Sequence, residues 1–243
     1  MRLGLAVVWV LCGGALAYGL FWELLQVPES SVWMLGLSCT IALLIVIVLL
    51  WTTGGILALY GRPQSPARVA LVTGLGHAVA VIVGALVFLA AWWATSALFA
   101  WHSAYGGQLD AWIIARSGKS ETKWLHELID WAIWVLRWGI GLTLALSLAA
   151  EVTAEGRAAF GRARWLGRAL HPGRWLVVAL LVALLQFLPW HYVNWRPARL
   201  TLGMEPWFVG AKLTIVTVLS AIGAVLAVRI VTPENDRGSH RPT

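Results

Sequence analysis

The chain has 243 residues, 60% hydrophobic and only 12% charged, with a formal net charge of +7. A soluble domain carries roughly a quarter charged residues, so this composition excludes that class and places the chain in lipid. The positive balance does not argue for nucleic acid, because the basic residues track the ends of apolar runs instead of forming one patch.

Six runs reach or approach the roughly 20 apolar residues with which a helix crosses a hydrocarbon core of about 30 Å. They cover residues 3–25, 32–60, 69–101, 131–150, 175–192 and 207–228. Open strands in lipid would leave backbone groups unpaired, so all six are read as helices. The expected fold is all-α, a polytopic membrane bundle in one domain over 1–232, with a short polar cytoplasmic tail at 233–243.

In the first run, Arg2 and the small-residue string Ala15-Leu16-Ala17 resemble a secretory signal. The apolar stretch continues to Trp22, too long for a signal core of about 7–15 residues, so an uncleaved anchor is expected. Cys12 and Cys39 lie within apolar runs, where a thiol behaves as a small hydrophobe, and are assigned to packing. Gly13, Gly14, Gly19, Gly74, Gly76 and Gly84 suit close helix approach, and Thr52-Thr53-Gly54-Gly55 is the place where the second helix is expected to loosen. His77, deep in the third run, is expected to be hydrogen-bonded within the bundle.

After the third run, Tyr105-Gly106-Gly107 predicts a break, followed by a short amphipathic piece over 109–115 carrying Trp112, Ile113 and Ile114. Residues 117–120 read as a turn with Ser120 as N-cap, so that the fourth helix starts near Glu121 and presents His126 and Asp130 one turn apart. Ser120-Glu121-Thr122-Lys123 matches an S-x-x-K string by chance, without its companion motifs, and no catalytic residue is assigned. Over 155–170, apolar positions at helical spacing among Arg157, Arg162, Arg164 and Arg168 predict an amphipathic helix on the anionic inner leaflet. Prolines at 189, 197 and 206 exclude a continuous helix there and predict an irregular loop over the bundle.

Placing Arg2, residues 61–68, residues 151–174 and the tail from Arg229 on one side collects eleven arginines, against five basic residues opposite. By the positive-inside rule both termini are cytoplasmic. Arginine exceeds lysine fifteen to three, which points to a bacterial cytoplasmic membrane. Thirteen of the 17 tryptophans fall at the opposite, outer face. Aromatic anchoring accounts for many of them; the excess suits a surface meeting another subunit, a quinone-like or lipid ligand, or a pigment.

Charges inside the runs cost about 2.5–3.5 kcal/mol each at mid-bilayer and point inward to a partner or cavity. Arg137 and Lys212 each lie seven residues beyond an acid, Asp130 and Glu205, which is too far for an intrahelical pair. Glu23 is the further candidate partner, so five charges are expected to converge near the outer interface as ion pairs or as a pocket for an anionic group. His102, His126 and His191 lie on the same side, but their spacing matches no metal motif. No metal is assigned, and the cofactor is unknown.

The reading that needs no motif is a non-catalytic subunit or assembly protein of a membrane complex, packed against partner subunits, another copy of itself, and lipid. A small transporter or lipid-handling protein with an outward-facing polar pocket is the alternative. An intramembrane enzyme comes third, because paired catalytic carboxylates and histidine boxes are missing.

Overall fold

The computed structural model describes residues 2–28, 31–62, 64–117, 123–193 and 205–232. Among them are helices and no strands, and six helical stretches are long and apolar enough to cross a membrane. The chain is an all-α polytopic helical bundle. The expected tail at 233–243, the turn capped by Ser120, and the loop carrying Trp195 and Pro197 lie outside the described residues.

Helix α1 (Arg2–Gln26) and α2 (Val32–Gly61) form the first antiparallel pair. The third crossing is built from α3 (Ala67–Val72), a 3₁₀ turn (Thr73–His77) and the 40-residue α4 (Ala78–Ser117). The fourth comprises α5 (Lys123–Val135), a π-turn (Leu136–Gly141) and α6 (Leu142–Glu155). Two short pieces, α7 (Ala159–Arg162) and α8 (Arg164–Ala169), lead to α9 (Pro172–Val182), a second π-turn (Ala183–Phe187) and α10 (Leu188–Val193). The last crossing is α11 (Glu205–Val231).

The main core lies at the arginine-rich end, called here the basic face. It gathers Ala6 from the start of α1, Leu57 and Tyr60 from the end of α2, Leu71, Ala150, and Val228 from the end of α11. Helices therefore alternate in direction, which brings their arginine-flanked ends together. The tightest contact joins α2 to the 3₁₀ turn. A Cβ on Gly54 would stand 2.2 Å from Gly74 O, and one on Gly74 would stand 2.2 Å from Trp51 O, so only glycines permit this backbone-to-backbone approach. Around it, Trp51 Nε1 donates to Val72 O at 2.9 Å and Trp9 Nε1 to Thr52 O at 3.3 Å. Thr52 to Gly55 thus stay helical, because their small side chains are used for packing.

Three further expectations change. Helix α4 runs unbroken through Gly106 and Gly107 to Ser117; each helical glycine costs about 1 kcal/mol relative to alanine, and a long helix packed along one side absorbs that. Pro189 sits inside helical structure, where the π-turn just before it widens the register and accommodates the missing N–H. Cys12 and Cys39 are exposed on the lateral surface and are not packed inside.

Candidate functional site

The end opposite the core, called here the tryptophan face, is shaped by α4 and α5. Fifty residues from Ala67 to Arg116 make about 75 Å of helix at 1.5 Å per residue. Crossing the hydrocarbon takes about 30 Å upright and about 40 Å at a steep 40° tilt. On the order of 30 Å of this helix is therefore more than the hydrocarbon takes, and α5 packs back on α4 as a hairpin at that end.

His102, Gly106 and Asp110 fall four residues apart on α4 and form one row. The His126 ring of α5 lies across that row, close enough that a Cβ on Gly106 would stand 3.2 Å from His126 Cε1. His126 Nε2 is 2.7 Å from Asp110 Oδ1, and His126 Nδ1 is 2.9 Å from His102 Nε2. A carboxylate only accepts, so His126 Nε2–H donates to Asp110; in neutral His126, Nδ1 then accepts from His102 Nε2–H. That leaves His102 Nδ1 facing Asp130 Oδ1 at 3.8 Å. Among the described residues no three His, Cys, Asp or Glu side chains form a metal cage.

At the hairpin's base, Arg137 lies in the π-turn. Its Nε donates to Thr95 Oγ1 and its Nη2 to Ser96 Oγ, both at 3.0 Å, and its guanidinium carbon is 4.1 Å from the Trp92 ring centroid. Thr95 spends its own proton on Ala91 O and Trp92 O, so it is free to accept. Among the described residues Arg137 has no carboxylate partner; two hydroxyls and a ring face stabilise the cation instead. The arginine borders a cavity of about 320 Å³ that it shares with Ser96, Asp130 and Trp134. Beneath it Phe88, Trp92, Trp138, Phe187 and Trp134 form a chain of ring contacts, with centroids 5.3–6.1 Å apart, tying α4 to both π-turns.

The expected five-charge convergence is thus divided. Asp130 and Arg137 share a cavity, while Lys212 borders a separate groove between α10 and α11, where its Nζ donates to Val193 O at 3.0 Å and stands 4.6 Å from the Phe208 ring centroid. Glu205 heads α11. Glu23 is exposed on α1, which packs on α2 and α11 and not on the α4–α6 side, so it does not pair with Arg137. His191 lines an apolar groove with Asp130, Trp134 and Phe187 and stays apart from the His102–His126 pair.

On the basic face the arginine-rich stretch is not one surface helix. Gly156 (φ 62°) ends α6 and Ala163 (φ 47°) separates α7 from α8, so the chain folds back under the bundle. Arg168 then pairs with Glu151, which is 3% exposed, and Arg162 pairs with Glu155 at 3.1 Å. Arg157 and Arg164 are exposed. His77 makes no hydrogen bond among the described residues and lines a cavity beside Arg62.

Sequence reasoning missed Asp110, Thr95, Ser96 and Glu151. The four-residue spacing of His102, Gly106 and Asp110 was the available signal for the first. No protein-family model matches the chain, and no curated protein or solved structure is detectably similar to it.

Proposed function

We propose that this chain is a non-catalytic subunit or assembly protein of a membrane complex, with the α4–α5 hairpin as its docking arm for another polypeptide. The observation that carries this reading is the hairpin's reach. Trp101, Tyr105, Trp112 and Trp124 are all exposed on a segment beyond the hydrocarbon, where lipid tails do not cover them. Exposed aromatics of this kind are the residue types that dominate interface energetics. Arg116 already stacks over Trp112, 5.5 Å from its ring centroid, which holds that indole in place. The arginine bias puts both termini on the cytoplasmic side and the hairpin outside, in a cytoplasmic membrane.

A second reading, a lipid-binding or small-solute transport protein, is favoured by Arg137, which lines a cavity and has no ion pair among the described residues. Native mass spectrometry of the protein gently extracted from its own membrane separates the two. A reproducible complex with one other polypeptide, lost when Trp101 and Trp112 are both replaced by Ser, is the expected result. The chain alone or paired only with itself, unchanged by those substitutions, would overturn the docking reading. A bound lipid or small anion that disappears in Arg137→Leu would favour the second.

A further inference from the structure

A cavity of about 580 Å³ opens at the basic face, away from the hairpin and within the size range of ligand sites. Its walls come from the end of α2, from α3 and the 3₁₀ turn, and from the chain just after α6. Gly156, in a left-handed conformation that a side chain would strain, ends α6, and Arg157 just after it borders the cavity together with Arg62.

The charge here is one-sided. Among the described residues no carboxylate lines the cavity. The two acids at this end of α6, Glu151 and Glu155, are taken by Arg168 and Arg162, neither of which borders it. Arg62 and Arg157 have no ion pair or side-chain hydrogen bond among the described residues, so two guanidinium forks are left unspent. Thr73 and Thr153 also line the cavity, but both donate their protons to their own helix carbonyls. The remaining donors are Arg62, Arg157, Ser65 and His77. The rest of the lining is largely apolar, with the buried Ala58, Ala70 and Ala80 and the exposed Val69 and Phe160.

We propose that this cavity binds a phosphate group, clamped between Arg62 and Arg157. Two planar forks matching phosphate oxygens are the chemistry that recognises such a group. Arginine forks beside apolar lining residues suit a phosphate carried by a lipid as well as free phosphate.

The test uses the purified full chain in neutral detergent, titrated with phosphatidylglycerol and phosphatidylcholine by native mass spectrometry, and with inorganic phosphate by calorimetry. Replacing both Arg62 and Arg157 with Gln should weaken binding about tenfold or more, as expected for losing charged hydrogen bonds, while Arg164→Gln, an exposed arginine off the cavity, should change it less than about twofold. Phosphatidylglycerol binding that inorganic phosphate does not displace identifies a lipid; inorganic phosphate that binds alone and competes identifies a soluble source. Both support the site. If the glutamine pair fails to fold, Arg62→Lys with Arg157→Lys keeps the charge, loses the forks, and should still weaken binding several-fold. Binding that is unaltered in whichever pair folds, or lowered equally by Arg164→Gln, would overturn the proposal.

Discussion

Arg168 at the basic face and Arg137 at the tryptophan face are held in opposite ways. At the basic face, Arg168 meets the buried Glu151 and Arg162 meets Glu155, so cations are neutralised by acids against a packed core. At the tryptophan face, Arg137 is held by two hydroxyls and an aromatic ring, with no carboxylate partner among the described residues. A ring face and two neutral oxygens suffice where the charge is partly exposed, whereas a buried carboxylate such as Glu151 needs its counter-ion.

Mutations can break that contrast in a graded way. Glu151→Ala should cost most, about 3 kcal/mol, because it removes the buried carboxylate that faces the mostly buried Arg168 guanidinium; the unfolding midpoint in bicelles is the readout, and Arg168→Gln in the same background should restore part of it. Gly74→Ala comes next, at roughly 2 kcal/mol, since the new methyl would drive α2 and the 3₁₀ turn apart; loss of resistance to heating in detergent would show it. Arg137→Gln should cost about 1–2 kcal/mol, less than Glu151→Ala, because neutral hydroxyls are left behind and not a bare charge. A larger loss for Arg137→Gln than for Glu151→Ala would reverse the comparison. Arg162→Gln should change stability by about 0.5 kcal/mol or less, since its side chain is more than half exposed.

How much of this was legible in the sequence follows from which interactions are local. Hydropathy placed four spans closely: 3–25 against Arg2–Gln26, 32–60 against Val32–Gly61, 175–192 against Pro172–Val193, and 207–228 against Glu205–Val231; it ended the third run at 101 where α4 continues to Ser117 and began the fourth at 131 where α5 starts at Lys123. Local glycine rules failed at Gly54 and Gly106, because a tertiary neighbour, Gly74 in one case and the His126 ring in the other, occupies the space that the missing Cβ leaves. His102 and His126 were singled out, but their pairing depends on how α5 folds back on α4, which spacing along one helix does not encode. The basic stretch after α6 read as one helix because its apolar period is helical. The left-handed residues Gly156 and Ala163 fold it back, and only the buried Glu151 explains where Arg168 goes.

The central claim is that the hairpin's aromatic surface meets a polypeptide while the lateral surface meets lipid. It is tested most directly by site-specific photo-crosslinking in the native membrane, with a benzophenone side chain in place of Trp112 or, as the lipid-facing control, Trp33, whose ring is 88% exposed on α2. One discrete heteromeric adduct from position 112 and lipid adducts alone from position 33 are expected. Lipid adducts alone from both positions would contradict it.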